Sequence, residues 1–336
     1  MDAIEQMRAL IKQLNRWARE YYTYDAPSVG DETYDAAYDR LNLLEKQTGV
    51  VLPDSPTHRV GGEILTKFKP HKHLMRLYSL DKAKSFNELK SWYDKIIKEI
   101  PDAIFTVEYK YDGLTLNLTY DEGRLINAAT RGDGIKGEQI TAQAKTIKSV
   151  PLNIDFEKKI EIQGEGIMRL SVFNEYNNLH PEEQFKSARN AAAGAIRNLN
   201  TAITAQRNLD VITYSTGFDG GSGIKSQTEL IEFLKQNGFK TNGYFKTATS
   251  YEEIKEYIEE ISAKRDTLDF LIDGAVVKVN DFDMRNYLGY TDKFPRWALA
   301  YKFKAEEVTT TLNSVEWQVG RTGKITPLGH MEPVEL

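Results

Sequence analysis

The sequence predicts an α+β fold in which a small helical unit precedes a larger unit of mainly antiparallel sheets. Residues 4–22 carry apolar side chains at helical spacing. Residues 51–62, VLPDSPTHRVGG, are rich in proline and glycine, as is typical of a linker. Beyond this linker, strand-like runs follow one another without intervening helices, which favours antiparallel pairing over a doubly wound parallel sheet.

The helical unit is predicted to occupy residues 1–65 and to contain two helices. In the first, apolar residues from Ile4 to Tyr21 recur every three or four positions. After an interruption at Pro27 and Gly30, the second is predicted to start at Asp31, because an aspartate is a good N-cap. The residues expected to face inward from it are Tyr34, Tyr38, Leu41 and Leu44.

The larger unit is predicted to span residues 66–312 and to alternate helices with strands. Pro101 and Gly238 are expected to end two of its helices. The predicted capping residues are Ser85 with Glu88 as a capping box, Ser226, and Ser250 with Glu253. The predicted strands are 104–120, 124–130, 158–168, 210–217, 270–280, 297–304 and 313–319.

From residue 315 the segment VEWQVGRTGKITPLGHMEPVEL is typical of a hairpin that opens another β domain. Residues 313–336 are too few to close such a domain. We therefore expect the chain to be a truncated form of a longer protein.

The composition is that of an ordinary globular protein, with 40% hydrophobic and 28% charged residues among 336. The chain has no cysteine, which excludes disulfides and thiolate metal sites. No apolar run is long enough for a membrane helix, and the first 25 residues carry acids that a signal or transit peptide lacks. We expect a cytoplasmic protein. Its net charge of −5 argues against general polyanion binding.

The segment FTVEYKYDGLTLNLTY, residues 105–120, places Glu108, Lys110 and Asp112 at alternate positions of a predicted strand. The alternation reverses after Asp112-Gly113, which predicts a bend there. A lysine amine is a nucleophile when it is neutral, and desolvation or nearby positive charge favours the neutral form. Lys278 and Lys302, on later strands, could supply that charge. Alternatively, each lysine extends to solvent at a strand edge.

Three further segments carry polar residues that have both a structural and a functional interpretation. RGDG, residues 131–134, is a hairpin turn or a ligand contact. IEIQGEGIM, residues 160–168, is an exposed strand face or a site where its glycines let a ligand approach. SARNAAAGAIRNLN, residues 187–200, is a packed helix with solvated arginines, or it faces phosphates with Arg189 and Arg197.

Taken together, these segments resemble the nucleotidyltransferases that form a covalent lysyl-AMP, whose domain is ATP-grasp-like with mainly antiparallel sheets. EYKYDG has their Lys-x-Asp-Gly form, and RGDG, QGE, IDGAVVKVN and WALAYKF resemble their later motifs in order. WAREYYTYDAPSVGDETYD, residues 17–35, resembles the N-terminal module of bacterial NAD-dependent DNA ligases. The segments DSPTHRVGG, YSLDKA, ARNAAAG and GRTGKITP are similar to that family too, so the resemblance covers nearly the whole chain.

The resemblance implies an adenylation reaction. Lys110 would attack the adenylyl phosphorus of NAD, release nicotinamide mononucleotide (NMN) and form ligase-AMP, for later transfer of AMP to the 5′-phosphate of nicked DNA in replication and repair. Asp112 would orient Lys110 or help to deprotonate it. Lys302 would stabilise charge at the α-phosphate, and Mg²⁺ would help to neutralise the phosphates.

The resemblance also implies the binding residues. Adenine would be recognised by Glu108, Lys278 and a stacked Tyr214, and the ribose by Glu165 and Arg131. Ser79 and Leu80 would lie beside the nucleotide, and Arg189 and Arg197 would face phosphates of the nucleotide or of nicked DNA. The NMN site would consist of Tyr21, Tyr22, Asp31, Tyr34 and Asp35.

The same family implies a helical NMN-binding domain at 1–65, a nucleotidyltransferase domain at 66–312 and the beginning of an OB fold at 313–336. Its zinc module would lie in the missing C-terminal part, so no metal ligands are predicted in this chain. The resemblance also implies a nucleoid-associated protein and a monomeric chain, which is expected to self-adenylate and to seal nicks poorly. Residues 51–70 are a candidate hinge.

Gln163 stands where the family usually has an arginine, which removes a cation near the site. Two other functions are considered. One is an ATP- or GTP-using nucleotidyltransferase, such as an RNA ligase or a capping enzyme. The other is a binding module that holds NAD or DNA without chemistry.

Overall fold

The computed structural model describes residues 2–24, 26–60, 65–304, 309–320 and 323–334. The chain forms two compact units, Met1–Lys302 and Phe303–Leu336, which are described separately. Within the described ranges, no helix combines the length and the apolar character needed to cross a membrane. The predicted domain boundaries at residues 65 and 312 stay predictions.

The N-terminal helices are α1 (Ala3–Tyr22) and α2 (Asp31–Thr48). Asp2 and Glu5 form a capping box at the start of α1. The predicted N-cap at Asp31 is wrong, because Gly30 is the N-cap and Asp31 is the first helical residue, where its charge still favours the helix dipole. The two helices pack through buried Met7, Ile11, Leu14 and Leu41, with Tyr34, Tyr38 and Leu44 partly buried beside them.

The remaining helices lie between or after the strands, and most are short. They are α3 (Phe86–Glu99), α4 (Thr141–Thr146), α5 (Leu170–Leu179), α6 (Ala188–Ile196), α7 (Thr201–Gln206), α8 (Gln227–Gln236), α9 (Tyr251–Lys264) and α10 (Phe282–Leu288). Ser85, Ser226 and Ser250 cap α3, α8 and α9 as predicted. The predicted capping box at α3 is only half formed, since the Glu88 carboxylate accepts from the backbone N–H of Lys84 instead of Ser85.

The strands of the first unit agree with the predicted segments, with four short strands added. They are β1 (Pro70–Lys72), β2 (Asp81–Ala83), β3 (Phe105–Tyr111), β4 (Leu114–Asp121), β5 (Arg124–Thr130), β6 (Lys136–Glu138), β7 (Ile160–Ile167), β8 (Asp210–Thr216), β9 (Phe245–Ala248), β10 (Ile272–Val279) and β11 (Ala298–Lys302). The short strands β1 and β6 pair only with each other.

Two larger sheets carry the rest of this unit. One has the order β2-β11-β10-β3-β9 and the other β5-β4-β7-β8. The pairs are antiparallel except β11 with β2, which confirms the predicted fold class. The core lies against the second sheet, where Leu116, Leu118 and Ile162 are fully buried together with residues of α4, α6 and α8.

The chain passes from one sheet to the other at Asp112-Gly113, between β3 and β4. This crossing explains the reversal of the alternation, because β4 belongs to a different sheet from β3. A side chain at Gly113 would collide with the carbonyl oxygen of Gly166, since its Cβ would lie 2.2 Å away. Glycine therefore allows the close approach of β4 to β7 at the crossing.

The N-terminal helices are attached to the rest of the first unit by polar contacts. Arg19 donates to the backbone carbonyl of Asn153 at 3.0 Å, and Asn15 donates to the Asn153 side chain. Arg59, which follows the helices, donates to the carbonyls of Ile147 and Val150. These contacts hold α1 against the segment that precedes β7.

The second unit contains an antiparallel hairpin of β12 (Leu312–Val319) and β13 (Ile325–Met331). This confirms the predicted hairpin. Its assignment to an OB fold stays a prediction.

Candidate functional site

A cavity of about 620 Å³ is lined by residues of both large sheets and of the segment 75–80. Its volume lies within the roughly 300–1,000 Å³ usual for ligand sites. The structure brings together here all of the predicted site residues outside the helical unit: Ser79, Leu80, Glu108, Lys110, Asp112, Arg131, Glu165, Arg189, Arg197, Tyr214, Lys278 and Lys302.

Two lysines on separate strands share one carboxylate in the cavity. Gly274 of β10 lies opposite Lys110 of β3 on one side and opposite Lys302 of β11 on the other. Residues directly opposite each other in a sheet point to the same face, so both amines extend over Gly274. The Asp273 carboxylate accepts from Lys110 Nζ at 2.7 Å and from Lys302 Nζ at 2.8 Å.

The charge of Asp273 is set by these two amines. Burial would raise the pKa of its carboxyl, but the hydrogen bonds from Lys110 and Lys302 outweigh burial and hold the pKa below its usual range. Asp273 is therefore an anion that fixes the positions of the Lys110 and Lys302 amines near the point where the chain crosses from one large sheet to the other.

Asp273 is a site residue that the sequence analysis missed. Strict alternation along β10 places Asp273 on the face opposite Lys278. The register is irregular between Ile272 and Gly274, so Asp273 reaches the cavity in spite of its position. An acid directly before a glycine in an otherwise apolar strand is the signal that could have indicated it.

Asp112 was expected to contact Lys110, but in the structure its partner is Arg189. The Asp112 carboxylate lies 2.8 Å from the Arg189 guanidinium, and Asp112 follows the last residue of β3. The shared strand face predicted for Glu108, Lys110 and Asp112 therefore ends at Tyr111. The catalytic role expected of Asp112 stays a prediction.

A buried ion pair lies at the back of the cavity. The Lys278 amine donates to Glu108 at 2.8 Å, and the two side chains are 7% and 1% exposed. Lys278 also donates to the carbonyl of Tyr214 on β8, which connects the two large sheets. Burial lowers the pKa of Lys278 even though Glu108 opposes the shift.

Glu165 on β7 is the most perturbed carboxyl in the cavity. Desolvation raises its pKa to about 7, against the opposing effect of a hydrogen bond from Thr115. The Tyr214 hydroxyl also donates to Glu165, at 3.3 Å. Burial, with the Glu165 charge nearby, raises the pKa of Tyr214 well above its usual value, so this hydroxyl stays a donor. The interpretation of this segment as an exposed strand face is excluded.

Four arginines line the cavity: Arg76, Arg131, Arg189 and Arg197. Arg131 donates to the Ser79 hydroxyl at 2.8 Å. Arg189 and Arg197 are about half exposed, and Arg197 lies 3.1 Å from Glu138. Exposed guanidinium groups of this kind are suited to phosphate oxygens.

Comparison with known proteins identifies the family. The model of the NAD-dependent DNA ligase adenylation domain matches residues 65–306. The chain belongs to the NAD-dependent DNA ligase family. The model of the DNA ligase-like, N-terminal NAD⁺-binding domain matches residues 1–61. The resemblance stated from the motifs is thereby confirmed.

Relatives agree with this family over the whole chain. The DNA ligase of Alkaliphilus metalliredigens is 51% identical over 339 residues, covering 100% of this chain and 51% of that protein. The DNA ligase of Finegoldia magna is 50% identical over 347 residues, covering 100% and 52%. The chain spans about half the length of the curated relatives it matches. Among solved structures, an archaeal ATP-dependent RNA ligase has a TM-score of 0.37 and 13% identity, covering 68% of this chain and 48% of that one.

In this member of the ligase family, the five predicted NMN residues do not line the cavity. Tyr21 is 53% exposed and contacts Tyr22 edge to face. Tyr34 packs inside the helical unit against Trp17. Asp31 and Asp35 are exposed on α2. These tyrosines and aspartates therefore lie on the helical unit and not among the residues that line the cavity.

Proposed function

We propose that this chain catalyses the self-adenylation step of NAD-dependent DNA ligation, with NAD as the AMP donor. The observation that supports it best is the position of Lys110, held with Lys302 by one carboxylate at the edge of a nucleotide-sized cavity. A nucleophilic amine beside a second cation is the arrangement that attack on a phosphate ester requires.

The proposed reaction exchanges one bond at the adenylyl phosphorus for another. The neutral amine of Lys110 attacks that phosphorus and forms a P–N bond. The bond from phosphorus to the bridging oxygen breaks, and NMN leaves with that oxygen. Lys110 loses its ammonium proton to solvent before the attack and a second N–H proton to solvent as the P–N bond forms. Asp273, 2.7 Å from Nζ, orients the amine. Lys302 stabilises the charge that develops on the phosphate oxygens.

The walls of the cavity suit the rest of the nucleotide. We propose that Glu108 and Lys278 hydrogen-bond the adenine edge and that the Tyr214 ring stacks beside it. Because its pKa is about 7, Glu165 ionises near neutral pH and then accepts from ribose hydroxyls, with Arg131 as a second partner. Ser79, bound to Arg131, and Leu80 flank the nucleotide.

The residues present also fit Mg²⁺, which binds through one or two carboxylates together with substrate phosphates. Asp112 and Glu165 present such oxygens to the cavity. When bound, Mg²⁺ would supply positive charge to the phosphate groups.

The NMN half of NAD is proposed to bind Tyr21, Tyr22, Asp31, Tyr34 and Asp35, with aromatic faces for the cationic pyridinium ring and carboxylates for the ribose hydroxyls. Since these residues do not line the cavity, this proposal requires the helical unit to change its position. The hinge expected within residues 51–70 falls partly outside the described residues.

The DNA-related roles are proposals for the whole protein. Arg189 and Arg197 are proposed to contact phosphates of the nucleotide or of nicked DNA. We propose that the 336 residues alone self-adenylate but seal nicks poorly, since they span about half the length of relatives such as the Alkaliphilus metalliredigens ligase.

Intact-mass spectrometry tests the proposed function. The purified chain is incubated with Mg²⁺ and either NAD or ATP. We expect an adduct of the mass of AMP from NAD, absent in Lys110→Ala and retained in Lys235→Ala, a surface control on α8. An adduct from ATP alone would identify an ATP-using nucleotidyltransferase. An adduct that persists in Lys110→Ala would exclude Lys110 as nucleophile, and no adduct at all would favour a binding module.

A further inference from the structure

A second cluster of chemically active side chains lies beneath the segment that leads to Ser79. His71 on β1, His73 and Glu161 on β7 bring two imidazoles and a carboxylate together, with one ligand atom of each within 4.8 Å of the others. Glu161 is fully buried and His73 is 5% exposed. This cluster is separate from the residues that line the nucleotide cavity.

Two buried polar atoms of this cluster have no hydrogen-bond partner in the described part of the chain. They are Nε2 of His71 and Oδ1 of Asn117, which adjoins His73. Buried polar groups are nearly always satisfied, so atoms of this kind indicate a ligand, an ion or a water. In the described ranges the Glu161 carboxylate also forms no ion pair, and it accepts only from the backbone N–H groups of Leu74 and Met75.

The hydrogen bonds of His73 leave one of its nitrogens suited to a metal. Its Nε2 lies 3.1 Å from the carbonyl oxygen of Arg131, which can only accept, so Nε2 carries the proton. Nδ1 therefore holds a lone pair, which accepts from the Asn117 amide nitrogen at 3.2 Å. A backbone carbonyl that fixes the tautomer in this way is the usual outer partner of a metal-bound histidine.

We propose that His71 Nε2, His73 Nδ1 and a Glu161 carboxylate oxygen bind one divalent transition-metal ion of the zinc type. Ligand atoms around tetrahedral zinc, with bonds of about 2.0–2.1 Å, lie about 3.3 Å apart, so side-chain movements of about 1 Å complete the site. Rotation of the Asn117 amide, which lies 3.2 Å from His73 Nδ1, presents Oδ1 as a fourth ligand. Two imidazoles select zinc, nickel or cobalt over magnesium.

Such an ion would stabilise one wall of the nucleotide cavity without touching the substrate. It would join β1 to β7, and His73 contacts the carbonyl of Arg131, whose side chain reaches Ser79. Its role is thus structural, and its presence does not depend on the proposed adenylation chemistry.

Cobalt and zinc binding to the untagged, EDTA-treated chain tests the site. In excess Mg²⁺, we expect one Co²⁺ per chain with visible absorption bands, displacement by Zn²⁺, and a Zn²⁺-dependent rise in Tm. His71→Gln and Glu161→Gln should each weaken binding at least about 10-fold, a loss that even outer partners of a metal site cause. Gln at 161 keeps an acceptor for Leu74 and Met75, so the fold should persist, as circular dichroism would verify.

His180→Gln is the matched control, because His180 is an exposed histidine whose ring Nδ1 bonds to the carbonyl of Tyr176. It should bind Co²⁺ and Zn²⁺ as the unmodified chain does. The absence of stoichiometric binding, or equal binding by His71→Gln and His180→Gln, would overturn the proposal. Displacement of Co²⁺ by Mg²⁺ alone would overturn it too, since that indicates an oxygen site.

Discussion

The buried pair of Glu108 and Lys278 gives the sharpest test of how this site is held together. Removing one partner leaves the other charge without its counter-ion in a region where the two side chains are 1% and 7% exposed. We consider three variants: Lys278→Met, Glu108→Gln and the double variant. Methionine and glutamine preserve the volumes of the original side chains and remove their charges.

The expected losses follow from the contacts. Breaking a buried ion pair by removing one partner costs about 3–5 kcal/mol. Each remaining charge keeps one polar partner, the Tyr214 carbonyl for Lys278 and the Thr106 hydroxyl for Glu108, so we expect the lower end, about 3 kcal/mol. In the double variant neither member of the pair is charged, so the hydrogen bonds between them are the main loss, which predicts about 1–2 kcal/mol.

Urea unfolding followed by circular dichroism measures these free energies of unfolding. Glu232 and Lys235 on α8 provide a matched exposed pair, 3.5 Å apart, whose neutralisation should cost less than about 1 kcal/mol. If the losses of the two single core variants add up in the double variant, the pair is not coupled and the reasoning fails. Adenylation from NAD should stay low in the double variant even though its stability recovers, because adenine recognition is proposed to need both polar groups.

Two further predictions concern the other carboxylates of the cavity. Asp273→Asn should lower the rate of self-adenylation about 100-fold and leave NAD affinity unchanged, because misplacing a reacting group by about 1 Å has an effect of that size. If Asp112→Asn abolishes self-adenylation and Asp273→Asn does not change it, Asp112 and not Asp273 orients Lys110. The pKa of Glu165 is raised to about 7 in the folded protein, whereas the same carboxyl in the unfolded chain releases its proton near pH 4.5. The contribution of this carboxyl to the free energy of unfolding is therefore lost as the pH rises from about 4.5 to about 7. The difference in unfolding free energy between the unmodified chain and Glu165→Gln should change over that pH range. A difference that is independent of pH would contradict the raised pKa of Glu165. Glu232→Gln, at an exposed carboxyl, is the control.

Local sequence patterns were sufficient to predict the strands where apolar and polar side chains alternate along them. The reversal at Asp112-Gly113 predicted a bend, and the strands on either side end and begin there. Lys278 and Lys302 were predicted to lie on later strands, and both strands form as predicted. These inferences needed only the two-residue period of a strand.

Inferences that depended on contacts between distant segments were less complete. The partner of Lys110 could not be predicted, because the irregular register at Asp273 arises from pairing with β3 and is not visible in β10 alone. The N-cap of α2 was predicted one position too late, at Asp31, since Gly30 can fill that position without a side-chain bond. The position of the helical unit is decided by contacts such as that of Arg19 with Asn153, 134 positions away.

The crossing at Asp112-Gly113 also explains why the reacting lysine is on β3. Lys110 is two residues before the point where the chain leaves one sheet for the other, so its amine lies where both sheets line the cavity. Two residues further back on β3, Glu108 is instead buried against Lys278 and is 1% exposed. The nucleophile therefore requires both the glycine that permits the crossing and the bulge at Asp273 that turns a carboxylate toward it. A single change in either backbone feature should displace Lys110 while leaving the buried Glu108–Lys278 pair intact.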